Sequence, residues 1–294
     1  MQKFLTKIMI FFYYLCNEFF FKYFFSYKSM NVLFIAQEIT PYLPDTEMST
    51  ICRYFPQEIQ EQGMEIRAFM PKFGCINERR NQLHEVIRLS GMNLIINDTD
   101  HPLIIKVASI QAARMQVYFI DNEEYFNRKY TVCNENGEYC PDNDERVVFF
   151  GRGVLETVRK LRWQPNIVHC HGWFTAIAPL YLKKAFREDP LYSKTKVIYS
   201  IYNDSFTTPF DPEFKNKAHA DGVTKKDLSV LEKPSYLTLS KLAVNFSDGF
   251  IIVGDQINPQ LEEYLKASNK PMLYHNPETY MQDYSEFYEK LLKE

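Results

Sequence analysis

Three observations predict an α/β fold, Rossmann-like and doubly wound. Apolar runs of the length of buried strands recur at 31–38, 65–70, 165–173, 196–202 and 250–253,. Helical segments stand between them, at 49–63, 144–163, 174–186, 234–246 and 259–267,. The first such unit, NVLFIAQE, a Pro-containing loop, a helix and EIRAFM, is a β-loop-α-β unit. Right-handed crossovers in such a chain put helices on both faces of a parallel sheet. Ligands then meet the loops at the strand carboxyl ends.

The elements can be justified in order. Pro41 and Pro44 forbid a helix in the loop ITPYLPDTEMS, and Ser49 is the expected N-cap of a helix of about a dozen residues ending near Gly63,. Pro71 stops the second strand. After an irregular stretch come MNLII at 92–96, a turn at 97–102, LIIKVASI at 103–110 and MQVYFI at 115–120. Their short connections suit antiparallel hairpins beside the parallel sheet. Residues 129–143 read as a polar loop, and Asp144 caps a helix whose stripe is Val147, Val148, Val154, Leu155, Val158 and Leu161,. The acidic residues between Asp142 and Glu145 read as a solvated loop and helix start, and Gly151-Arg152-Gly153 lies inside the helix. A tyrosine-rich tail, 278–294, reads as a further helix after a domain at 30–277.

Composition narrows the function classes. In 294 residues, 46% hydrophobic and 16% aromatic content is ample for a globular core, and a net charge of −3 gives no steering toward nucleic acid or anionic membrane,. The cysteines (Cys16, Cys52, Cys75, Cys133, Cys140, Cys170) form no C-x-x-C pair and read as reduced, cytoplasmic thiols, although Cys133 and Cys140 bracket a loop that they could bridge,. Residues 1–29 stand apart. Their apolar core IMIFFYYLC is shorter than the roughly 20 residues of a membrane-spanning helix,. Three readings stay open there: translation starting at Met30, a membrane-associated leader, or a cleaved signal.

Four motifs carry a resemblance. Gln37-Glu38-Ile39-Thr40-Pro41 follows a Ser-Glu-x-x-Pro turn, and Met70-Pro71-Lys72-Phe73-Gly74 fits Met/Leu-Pro-x-Tyr/Phe-Gly. The run from Asp121 to Arg128 (DNEEYFNR) fits Asp-Asn-x-x-Tyr-Phe-x-Arg. His169-Cys170-His171-Gly172-Trp173-Phe174-Thr175 fits His-x-His-Asp-Trp-His/Gln-Thr, followed by the expected Ala176, Ala178, Pro179, Leu180 and Tyr181. From Met30 to about Leu265 the chain thus resembles the bacterial glycogen synthase and plant starch synthase family. The resemblance implies the amino-terminal half of the fold called GT-B. It also implies a family activity of retaining, ADP-glucose-dependent α-1,4-glucan glucosyl transfer, with ADP-glucose and glucan as ligands. In the family a second Rossmann-like domain holds the donor nucleotide, and the expectation here is a chain without it.

The motif residues that chemistry needs are changed. Where the family carries Lys-x-Gly-Gly-Leu, this chain has Pro44-Asp45-Thr46-Glu47-Met48. Paired glycines admit backbone N–H groups to a sugar diphosphate and a lysine offsets its charge; two carboxylates in that stretch repel it. Gly172 replaces the family's aspartate, Phe174 its histidine or glutamine, and Tyr202, before Asn203, its sugar-holding histidine. Removing one preorganised polar group commonly costs about 10² to 10³ in rate, so the expectation is little transfer by this chain alone. No catalytic residue, cofactor or metal is expected; His169 and His171 point to one face of a strand and read as an interior pair. The residues expected to face a ligand or partner are Glu38, Tyr42, Asp45, Glu47, His171, Trp173, Tyr202 and Asn203. Non-catalytic glucan binding is the alternative, as is protein interaction or self-association at the cleft, where Pro44, Met48, Phe174 and Tyr202 are expected to form an exposed apolar patch.

Overall fold

The strand Asn31–Ala36 (β1) lies at the middle of the sheet because five of its six residues can be buried on both sides at once,. In the computed structural model, which describes residues 30–293, it pairs in parallel with Glu65–Pro71 (β2) on one side and Ile167–His171 (β7) on the other. Beyond β2 come Met115–Asp121 (β6), parallel, and Thr99–Ile110 (β5), antiparallel, the latter flanked by Met92–Ile96 (β4) and His84–Glu85 (β3). Beyond β7 come Lys196–Ile201 (β8), Gly249–Ile252 (β9) and Met272–Tyr274 (β10), all parallel. The order β10-β9-β8-β7-β1-β2-β6-β5-β3 reverses direction at β1 and β7, so the loops after these two strands meet at the topological switch point,.

Helices flank this sheet: Glu47–Glu61 (α1), Glu123–Phe126 (α2), Asn143–Leu161 (α3), Ala178–Lys183 (α4), Phe214–Lys217 (α5), Tyr236–Phe246 (α6), Pro259–Ala267 (α7) and Tyr280–Lys293 (α8). On one face Phe34 of β1 meets Phe55 of α1 edge-on, and Phe55 in turn meets Tyr284 and Tyr288 of α8. The two glycines of α3 serve packing. A methyl group at Gly151 would lie 2.7 Å from Ile177, and one at Gly153 would lie 3.1 Å from both Ile120 and Leu103.

Several boundaries differ from expectation, each for a local reason. Strand β1 ends at Ala36, so Gln37 and Glu38 open the loop. The N-cap of α1 is Thr46; Ser49 is its reciprocal partner at the third helical position,. The turn between β4 and β5 needs only Asn97 and Asp98, both with positive φ, which returns 99–102 to the strand,. Trp173–Thr175 is a single 3-10 turn, so the helix expected from 174 is only α4. Helix α3 begins one residue before Asp144, whose side chain is fully buried against Lys217 (2.9 Å) rather than solvated. Strands β3 and β10 are too short to leave a periodic signal.

Cys133 and Cys140 are unpaired thiols. Cys133 pairs with Tyr139 in a small hairpin, which places Cys140 on the opposite face of the ladder and disfavours a bridge,. Among the described residues no helix is long and apolar enough to cross a membrane. The readings of residues 1–29 lie outside the described residues.

Candidate functional site

The site is the strand-end face at the switch point, built from the loop after β1, the turn after β7 and the loop after β8. The first loop is tied down by its own side chains. Thr40 Oγ1 donates to Asp45 Oδ1 (2.6 Å) and Thr46 Oγ1 to Glu38 Oε2 (2.9 Å). The Thr46–Ser49 capping box then uses donors at the amino end of α1 that would otherwise face a bound anion,. Glu38 is half-buried, while Asp45 and Glu47 are exposed. Glu38 and Asp45 pair with no cation among the described residues; Glu47 lies 3.7 Å from His275. Burial and the neighbouring Asp255 raise the carboxyl pKa of Glu47. This is an acidic rim.

Beneath the rim the expected ligand-facing rings turn inward. His171, Trp173, Tyr202 and Tyr42 are buried. His171 Nδ1 lies 2.8 Å from Tyr202 Oη, while its buried Nε2 has no hydrogen-bond partner among the described residues. The His169 ring lies tilted against His171, with centroids 3.8 Å apart, and its two nitrogens meet Tyr288 Oη (2.6 Å) and Ser200 Oγ (2.7 Å). Burial holds both rings neutral, His169 far below the ordinary histidine range and His171 down to about 3,. Trp173 packs on Phe206 and Phe210. Tyr42 stands edge-on to Phe119, and burial pushes its phenol up to about 12. Of the eight expected residues, Glu38, Asp45, Glu47 and Asn203 reach solvent.

The expected apolar patch is not there. Pro44 is exposed, but Met48, Phe174 and Tyr202 are buried, because each has an interior partner. Phe174 joins Phe73 and Phe126 around the guanidinium of Arg146, which lies 5.2 to 5.7 Å from the three ring centroids. The motifs ending in Gly74 and Arg128 meet here too: the Arg128 backbone crosses Gly74 where any side chain would clash. Met48 covers Gly172, on which a β-carbon would lie 2.6 Å from Met48 Cε.

Two site residues leave little trace in the sequence. Gln37, buried to 4% exposure, accepts the Phe174 N–H through Oε1 (3.2 Å). Asp204, one residue past Asn203, accepts the Trp173 N–H (3.1 Å) and the Tyr236 hydroxyl (3.2 Å). Burial first, with a contribution from Glu38, pushes Asp204 up to about 7. The only sequence signal for Asp204 is a carboxylate beside a strand-end pair. Among the described residues no cluster of His, Cys, Asp and Glu could hold a metal.

An α/β domain with its site at the strand carboxyl ends, carrying these four motifs, has the form of a glycosyltransferase catalytic domain. Residues 31–265 match the starch synthase catalytic domain family, and the chain belongs to it. It is 36% identical over 177 residues to a glycogen synthase of Chlorobium limicola, and 32% over 206 residues to that of Chlorobaculum tepidum. These alignments cover 60% and 66% of this chain but 36% and 42% of the relatives, so the chain spans well under half their length. The catalytic domain of starch synthase IV from Arabidopsis thaliana, solved with ADP and acarbose, shares the fold. Its TM-score is 0.66 at 16% identity, over 85% of this chain and 52% of that one.

Proposed function

We propose that this glycogen/starch synthase-type domain binds a neutral α-glucan at its strand-end face and does not transfer glucose from a nucleotide sugar with its own residues. The acidic rim carries the reading. Glu38, Asp45 and Glu47 repel a diphosphate, yet their oxygens accept hydrogen bonds from sugar hydroxyls, and the exposed Asn203 adds an amide,. Two groups that a transferase would turn to the donor are engaged internally: the Tyr202 hydroxyl bonds His171 Nδ1, and the α1 amino end is self-capped.

A second reading is the family's own reaction, retaining glucosyl transfer from ADP-glucose, with the nucleotide-holding groups supplied by a second domain in the same or another polypeptide. The 36% identity to a glycogen synthase favours it.

Thermal unfolding with maltoheptaose, ADP-glucose, ADP and glucose 1-phosphate, together with a labelled-glucose transfer assay, separates the two. Maltoheptaose at 100 times its dissociation constant should add about 2.7 kcal/mol of stability, a shift of several degrees. The phosphorylated ligands should add nothing. Stabilisation by ADP-glucose with incorporation of label would replace the first reading by the second.

A further inference from the structure

Strand β4 pairs only with β5, so among the described residues its outer edge has no strand beside it. The turn that follows, Asn97-Asp98, has positive φ at both residues, the two-residue hairpin geometry in which Ile96 and Thr99 form the closing hydrogen-bonded pair,. Counting back along the register, Leu94 and Met92 also bond to β5, and the N–H and C=O groups of Asn93 and Ile95 point outward,. The Ile95 carbonyl marks that direction, because it accepts from Arg152 Nη1 (2.6 Å). Free edges are commonly blunted by lysine or proline, but β4 reads Met-Asn-Leu-Ile-Ile, with neither. Ile87 (83%) and Ile95 (59%) are the most exposed large apolar side chains among the described residues. Both lie on this rim, since Val86 and Gly91 bond β5 just before β4 begins. The two ends of the edge carry opposite charge. Asp98 and Asp100 are exposed at the hairpin tip and Arg88 is exposed at the other end, and none of the three has an ion-pair partner among the described residues.

We propose that β4 is the seam at which two copies of this chain pair edge to edge, antiparallel across a two-fold axis at Leu94. Asn93 of each copy exchanges both backbone hydrogen bonds with Ile95 of the other, and the Ile95 carbonyl accepts through its second lone pair. Sliding the pair by two residues would use the turn residue Asn97 or Gly91, whose N–H already bonds Leu103. The antiparallel seam lays the Asp98 and Asp100 tip of each copy against the Arg88 end of the other, and it makes the two Ile95 side chains diagonal neighbours on one face. A parallel pairing would set like charges together. The edge is therefore complementary to itself, as a two-fold interface requires, and the occupant it fits is a second copy. The strands of the second sheet run the other way, so the two strand-end faces open in opposite directions and both stay free. The pairing is independent of what those faces bind.

The test is sedimentation velocity of the full chain at micromolar to submillimolar concentration, with amide hydrogen exchange measured at both ends of that range. The wild type should pass from monomer to dimer. Asn93→Pro removes one outward donor from each copy at a position whose N–H the hairpin does not use, and should weaken association about thirtyfold. Arg88→Glu should weaken it about tenfold, and Arg88→Glu combined with Asp98→Arg and Asp100→Arg should recover it, because the whole charge pattern is then reversed. Exchange of the Asn93 and Ile95 amides should slow as the dimer forms. A wild type that stays monomeric throughout, or a dimer of unchanged affinity in folded Asn93→Pro, overturns the proposal. A triple variant as weak as Arg88→Glu overturns the antiparallel seam and the proposal with it. If Asn93→Pro does not fold, the wild-type amides decide: exchange at Asn93 and Ile95 that is equally fast in monomer and dimer puts the contact elsewhere.

Discussion

Asp204 shows how much one side chain can depend on what the fold brings to it. Its carboxylate accepts from the Trp173 amide and the Tyr236 hydroxyl, with Glu38 nearby and no ion-pair partner among the described residues. A carboxyl whose folded pKa rises to about 7 holds a proton that the unfolded chain has already released, so stability falls as pH rises from about 4 to about 7,. Asp204→Asn removes that titration. The variant should gain on the wild type by about 2 kcal/mol between pH 4 and pH 8, roughly half the full value because the carboxyl is partly exposed to solvent. Urea unfolding across this range checks it, and a constant offset between the two proteins would count against the protonation. Gly172→Ala is the complementary case. The new methyl meets Met48 at a positive φ, so a loss of about 1–3 kcal/mol is expected,. The residue scale was the least legible in the sequence. Glu38, Asp45 and Glu47 could be expected on the rim because loop carboxylates stay in water. His171 and Tyr202 could not be paired in advance, since 31 residues separate them and only the β7–β8 register joins them.

Among the elements, α1 and α8 decide how the site is held. The Thr46–Ser49 capping box fixes the first turn of α1, and Thr46→Ala should cost about 1 kcal/mol,. That variant also releases Glu38, which Thr46 holds. Helix α8 buries Tyr284, Phe287, Tyr288 and Leu291 and sends two hydroxyls inward, Tyr288 to His169 and Tyr284 to His275 (2.8 Å). Its seat depends on Gly249, where a methyl group would fall 2.9 Å from Phe287 and 3.1 Å from Leu291. Gly249→Ala should therefore loosen α8 and cost about 1–3 kcal/mol. Hydrogen exchange should quicken in 280–293 before it quickens in β1 or β7. Uniform quickening would show that α8 and the sheet open together. The helical character of this tail was readable from its period; its place beneath the histidine pair was not, because nothing local encodes a contact 119 residues away.

For the molecule as a whole, buried histidines set the acid limit of stability. His169 and His171 stay neutral when folded but take up protons near pH 6.5 when unfolded, so their contribution is lost as pH falls below about 6.5,. His275, lowered by burial, acts in the same direction. Asp204 opposes them. Near pH 5 the two buried histidines outweigh Asp204 by about one proton, or about 1.4 kcal/mol per pH unit on acidification, a slope that Glu47, Asp144 and Glu156, all raised by burial, reduce. In Asp204→Asn the slope should approach twice that value. Equal slopes in the two proteins would show that another group governs acid unfolding.

The sequence by itself determined the sheet and its class, because buried parallel strands need unbroken apolar runs and helices need their period. It determined the family as well, because the turns closing those strands keep their residue types. It also showed that cation, glycine and imidazole had been exchanged. Only the tertiary structure decided what the exchanges did. The apolar replacements turned inward to the core, where Met48 covers Gly172 and Phe174 packs on Arg146, while the carboxylates stayed in water as a rim. Composition cannot make that division. Whether a side chain faces solvent depends on partners that strand register and helix packing bring to it from far along the chain.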